Sequence, residues 1–193
     1  MLRKFLVSIS PLISITAFAG HTLPLKFDPR TADEFSTVRP WISTGNEAVS
    51  PIKVSSNGMT MFSVAEQNKT MKWKLEAFST QLPGKYLLVN YRAMNTIAST
   101  ETNHYFIWIA DTSGVEHVLI TQGDLITDGK WHLAVVDLSC HNITQSINEL
   151  AIQVSSGATI PAETWISSIS YSDDLPADQT PVSCRQSNGR PVR

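Results

Sequence analysis

The run "ITDGKWHLAVVDLS", Ile126 to Ser139, sets an indole beside an imidazole at Trp131-His132. Such a pair suits three tasks: base chemistry beside a stacked substrate, a platform for an apolar ring face, or packing at the end of a strand. The residues that base chemistry would need around it are missing. No G-x-S-x-G elbow occurs. Ser50-Pro-Ile-Lys53 matches S-x-x-K in letters but lacks the helix start and partner motifs that give it meaning. The five histidines, His21, His104, His117, His132 and His141, include no i, i+4 pair and no H-E-x-x-H, so no metal ligand set is assigned. The acids Asp111, Glu116, Asp124, Asp128 and Asp137 fall mostly at turns or strand ends, with no signature that converges two carboxylates on one cleft. The sequence is therefore read as non-enzymatic, with no catalytic residue.

Aromatic side chains are the stronger lead. The five tryptophans are Trp41, Trp73, Trp108, Trp131 and Trp165. Trp73 alternates with Met71 and Leu75 and reads as core. Trp131 shares a face with Leu133 and Val135, and His132 with Ala134 and Val136. Trp41 follows Pro40 beside the polar "ISTGN"; exposure and burial both fit it.

The elements that would position these residues are strands. "MKWKLEAF" and "KYLLVNYRA" alternate apolar and polar residues cleanly, the pattern of a half-buried strand. "HYFIWIAD", "VEHVLITQ", "INELAIQV" and "TWISSISY" are rich in β-branched and aromatic residues. Turn pairs separate them: Asn57-Gly58, Pro83-Gly84, Ser113-Gly114, Asp128-Gly129 and Ser156-Gly157. The pattern predicts roughly eight to ten strands and no sustained helix. The fold class is thus all-β, a two-sheet antiparallel β-sandwich, larger than the ~100 residues of an immunoglobulin sandwich and better matched to a jelly roll.

The ends of the chain carry address information. Arg3 and Lys4 precede an apolar stretch from Phe5 to Ile15, and Ala17-Phe18-Ala19 is a small-x-small cleavage pattern, so residues 1–19 read as a signal peptide. A lead-in segment (20–34), the sandwich (35–177) and a flexible tail or linker (178–193) follow. No later run is long and apolar enough to span a bilayer. Export makes Cys140 and Cys184 candidates for one disulfide, against the alternative of two buried thiols. A net charge of -2 over 193 residues gives no field for nucleic acid. Asn68-Lys-Thr and Asn142-Ile-Thr match the N-glycosylation acceptor pattern.

Taken in order, "KYLLVNYRA", "DGKWHLAVVDLS", "INELAIQVS" and "TWISSISY" resemble the galactose-binding-like jelly rolls that accompany secreted glycoside hydrolases and polysaccharide lyases as accessory or carbohydrate-binding modules. Laminin G-like sandwiches share the "DGKWH" element but continue into a second hairpin that this chain lacks. The resemblance implies a secreted or periplasmic, non-catalytic module whose partner is a glycan or polysaccharide. The alternatives are a cell-surface structural or protein-interaction sandwich without a sugar site, whose partners are other extracellular proteins, and, ranked below it, a small glycan-active enzyme. It implies a packing role for Trp131-His132, with the imidazole satisfied by a neighbouring carbonyl or hydroxyl. It also implies ligand-binding loops at one end of the sandwich, over Trp41–Asn46 and Asn95–His104. There Trp41 would stack on a sugar ring while Arg92, Asn95, Asn103 and His104 bond its hydroxyls. The family often holds a structural calcium between an early loop and the last strand. Asp28, Asp33 and Glu34 could supply the early ligands, but Ser167-Ser168 stands where the family places an acid. No cofactor is therefore assigned beyond that calcium.

Overall fold

The computed structural model describes residues 41–43, 53–54, 60–75, 84–99 and 104–184. The proposed signal peptide, the lead-in segment with Asp28, Asp33 and Glu34, and the end of the tail lie outside them.

Among the described residues ten strands form two antiparallel sheets. They are β1 (Trp41–Ser43), β2 (Lys53–Val54), β3 (Thr60–Val64), β4 (Thr70–Leu75), β5 (Tyr86–Met94), β6 (Tyr105–Asp111), β7 (Glu116–Thr121), β8 (Asp128–Asp137), β9 (Ile147–Ser155) and β10 (Ala162–Ser172). One sheet has the order β1-β4-β9-β6-β7 and the other β2-β3-β10-β5-β8. With β1 and β2 set aside, the remaining strands run first-eighth-third-sixth against second-seventh-fourth-fifth. That is the strand order of a jelly roll, as the sequence pattern predicts.

Period-two alternation builds the core. Met71 and Trp73 of β4, Leu87, Val89, Tyr91 and Ala93 of β5, Ala134 and Val136 of β8, and Leu150, Ile152 and Val154 of β9 all turn inward. Trp73 is 2% exposed and packs its ring 5.2 Å from that of Phe62 on the opposite sheet. The core position expected for Trp73 is thus observed.

A second apolar cluster lies on the outward side of the β1-β4-β9-β6-β7 sheet, where an antiparallel sheet would ordinarily meet water. It joins Tyr105, Trp108, Ala110, Val118 and Ala151. The Lys72 ammonium sits 5.2 Å from the Tyr105 ring centre and 5.1 Å from that of Trp108, and the Lys74 ammonium sits 4.9 Å from Trp108. Lys74 also pairs with Glu149 at 2.7 Å. The lysine ammonium groups thus lie over the ring faces and help to shield them.

Cys140 and Cys184 form the expected disulfide, joining residues 44 apart in sequence. The bridge fastens the segment after β10. Val182 donates its backbone N–H to the Val135 carbonyl at 2.7 Å and packs its side chain against the core. Val182 and Cys184 are therefore held on the sandwich.

Candidate functional site

The sheet β2-β3-β10-β5-β8 presents an outward row that crosses three strands. Arg92 of β5 is the cross-strand partner of Trp165 on β10 and of Trp131 on β8. A guanidinium on the central strand is thus flanked by an indole on each side. Trp131 is 40% exposed and Leu133, next on the same face, 37%. Asn90 of β5, paired with Leu133 and with Ser168 of β10, continues the face in the next row.

Two bulges shape this surface. Between the Arg92–Trp131 and Met94–Asp128 pairs, β8 carries one extra residue, and Gly129 there adopts φ +74°. That left-handed conformation favours glycine, and a Cβ at the position would also meet Met94 Sδ at 3.2 Å. On β10, Ser167 is the extra residue between Ile166 and Ser168, and its hydroxyl lies 3.5 Å from the Asn90 carbonyl oxygen. An extra residue strengthens local twist and re-aims neighbouring side chains.

The polar partners on the face are few. Trp165 Nε1 donates to Glu163 Oε2 at 3.4 Å. Arg92 Nη2 reaches Met94 Sδ at 3.6 Å, while Arg92 Nε is buried without a partner among the described residues.

This arrangement corrects the reading of Trp131-His132. Trp131, 40% exposed, stands outward on an edge strand and not in the core. His132 faces the other way and packs against Tyr91, ring centres 5.9 Å apart. Its Nε2 donates to a carboxylate, Asp128 Oδ1, at 2.8 Å, rather than to a carbonyl or hydroxyl. That hydrogen bond holds the Asp128 carboxyl below its usual range, helped by the backbone N–H of Lys130.

The remaining sequence-derived candidates lie elsewhere. Trp41 is on β1, at the edge of the opposite sheet and paired with Leu75; its side chain lies outside the described residues, as does Asn103. Asn95 follows β5 at φ 57°, exposed, and donates from Nδ2 to the Pro161 carbonyl at 2.9 Å. His104 Nδ1 is 3.3 Å from Ser155 Oγ, a hydroxyl that also accepts from Thr70 Oγ1 at 3.0 Å. Thr96 bridges to Ser156, so Asn95–Ser99 and His104 both run against the end of β9. Arg92 alone among the named candidates belongs to the tryptophan row. The sequence singled out neither Trp165 nor the pairing that sets it beside Arg92; the outward phase of Arg92 was the available signal.

Among the described residues no group of three or more His, Cys, Asp and Glu side chains could hold a metal ion. In the described half of the calcium set, the Ser167 hydroxyl lies 3.5 Å from the Asn90 carbonyl oxygen; Asp28, Asp33 and Glu34 lie outside the described residues. Among the same residues no helix is long and apolar enough to cross a membrane.

A different polar centre is closed to solvent. Asp111 Oδ1 accepts from the Ser113 hydroxyl at 2.6 Å, from the Ser113 N–H at 2.9 Å and from the Val115 N–H at 3.0 Å. Its Oδ2 accepts from His117 Nε2 at 3.2 Å. The Ser113 hydroxyl foremost, with these other donors, holds the Asp111 carboxyl well below the usual carboxylate range, against the opposing effect of burial. His141 is pushed down to about 4, first by burial and then by the nearby His117. These groups tie a turn together and offer no access to a substrate.

No protein-family model matches the chain, and no curated protein matches it. Among solved structures it is similar to PfGH50B, at 13% identity and a TM-score of 0.49, over 70% of this chain and 23% of that one. It is also similar to CBM28, a carbohydrate-binding module specific for non-crystalline cellulose, at 9% identity and a TM-score of 0.46, over 79% of this chain and 98% of that one. The chain therefore spans less than a quarter of the first of these proteins and nearly the whole of the second.

Proposed function

We propose that this protein is an exported, non-catalytic carbohydrate-binding module and that its binding surface is the outward face around Trp131, Arg92 and Trp165. The observation that carries the reading is the row itself: two indoles flank a guanidinium across adjacent strands, and one indole is 40% exposed. Pyranose rings have apolar C–H faces that lie against indoles, while their hydroxyls accept and donate in the ring plane. A row of indole, guanidinium and indole matches both properties along a chain of sugars. The signal-like leader and the disulfide support export, since bridges persist in oxidising compartments. This reading moves the stacking role from Trp41 to Trp131 and Trp165 and keeps Arg92 at the centre. Trp41, Asn95, Asn103 and His104 would serve a separate, loop-borne contact.

The test is a glycan array on the mature protein, followed by calorimetry of a hit with wild type and Trp131→Ala. Affinity should fall by about 1–3 kcal/mol with the circular dichroism spectrum unchanged. Unchanged affinity would remove this face from the site. A second reading, a protein-interaction module, is favoured by Leu133 continuing the apolar surface beside Trp131. It would be preferred if no glycan bound while Trp131→Ala abolished capture of an extracellular protein partner.

A further inference from the structure

We infer that the polysaccharide taken by this face is anionic, carrying carboxylate or sulfate groups, and that Arg92 is the residue that selects for them. The inference rests on the proposed glycan-binding role. It comes from the state of one side chain. Arg92 lies on the central strand of the face, yet among the described residues it has no ion pair. Its one hydrogen-bond partner is a thioether sulfur, Met94 Sδ at 3.6 Å, which is a weak acceptor. Its Nε is buried with no partner among the described residues.

Two acids stand in register with Met94, one row away from Arg92, and both have other partners: Glu163 accepts from the Trp165 indole N–H, and Asp128 accepts from His132 Nε2 and from the Lys130 N–H. A guanidinium is permanently charged, and its planar fork of donors suits bidentate bonding to a carboxylate or to two oxygens of a sulfate. An ionised acceptor answers a guanidinium donor about twice as strongly as a neutral hydroxyl does. The flanking indoles add the sugar-stacking surface and lower the local dielectric. A ligand that offers ring faces to Trp131 and Trp165 and an anionic group between them would match both the stacking surface and the charge of the row. A neutral glycan would offer the guanidinium only hydroxyl acceptors.

The experiment uses the full mature chain and paired polymers. Polygalacturonate is compared with its methyl ester, and a sulfated galactan with its desulfated form, by calorimetry or affinity electrophoresis. At least one charged polymer should bind about tenfold more tightly than its neutral partner, and the pair that responds separates carboxylate from sulfate recognition. Arg92→Gln should abolish that preference, Arg92→Lys should restore part of it, and raised salt should weaken charged-polymer binding. If Arg92→Gln does not fold, Arg92→Lys and the salt dependence of wild type carry the comparison. Equal affinity for charged and neutral forms, with Trp131→Ala still weakening both, would overturn the anionic inference and leave the glycan-binding reading standing. Binding to none of the polymers in either form, together with an empty glycan array, would overturn both.

Discussion

His117 Nε2 donates to Asp111 Oδ2 at 3.2 Å, and the two side chains are only 7% and 6% exposed. The pair closes the β6–β7 turn, because the other oxygen of Asp111 is already occupied by Ser113 and Val115. His141, in the 3-10 turn Leu138–His141 that follows β8, is electrostatically coupled to this pair through His117.

An acid-induced loss of stability follows. His141 titrates near 6.5 when unfolded and near about 4 when folded. Between those values the unfolded chain binds the extra proton, so stability is flat above pH 6.5 and falls as pH drops toward 4. The contribution is on the order of 1–3 kcal/mol. Asp111 adds to the loss at lower pH: its ionised form is favoured by the fold, so its contribution is present above its ordinary value of 3.8 and disappears as pH falls below it. Urea midpoints measured from pH 3 to 8 should show this slope, and His141→Gln should flatten the portion between 6.5 and 4. An unchanged slope in that variant would refute the assignment.

The two faces of the sandwich predict opposite outcomes for tryptophan removal. Trp73→Ala removes a buried indole that meets Phe62 and should cost about 3–5 kcal/mol. Trp131→Ala removes an exposed side chain and should change stability by less than about 1 kcal/mol. Chemical denaturation of both variants checks the contrast. Similar losses in the two would mean that Trp131 packs after all.

The lysine-shielded cluster predicts an unusually strong effect for a charged residue. Lys74 touches both the Glu149 carboxylate and the Trp108 ring, and the side chains of the ion pair are only 20% and 14% exposed. Lys74→Ala should cost about 1–3 kcal/mol, above the range for an exposed pair. A double-mutant cycle with Glu149→Gln apportions it; a coupling energy near zero would show that the lysine acts only through Trp108.

Much of the fold was written in alternation. "MKWKLEAF" and "KYLLVNYRA" have one apolar face each, so period two alone assigned Trp73 and Tyr91 to the core and turned Arg92 outward. The signal failed where both faces of a strand are apolar. In β8, Trp131, Leu133 and Val135 alternate with His132, Ala134 and Val136, and only pairing with Tyr91, Val89 and Leu87 decides that the second set faces inward. "HYFIWIAD" poses the same ambiguity, and there both faces are buried. The tryptophan row was invisible for a related reason. Trp165, Arg92 and Trp131 are far apart in sequence, and the bulges at Ser167 and Gly129 fix their register without any local pattern around the aromatic residues.

Removing the disulfide should destabilise the fold. A closure spanning 44 residues stabilises by about 4 kcal/mol on the chain-entropy estimate, as an upper figure. Thermal melts of Cys140→Ser/Cys184→Ser against wild type measure it, and an unshifted midpoint would show that the fold does not rely on the bridge.

The hydrogen bond from Val182 to Val135 has a further effect. β8 ends its sheet, and an unprotected terminal strand offers free carbonyl and amide groups to any extended chain that passes. The segment leading to Cys184 occupies part of that margin, and the disulfide prevents it from peeling away. Beside it lie Trp131 and Leu133, the apolar residues that would make intermolecular strand pairing most favourable. Loss of the bridge would free this segment and leave that part of the β8 margin open to pairing with another extended chain.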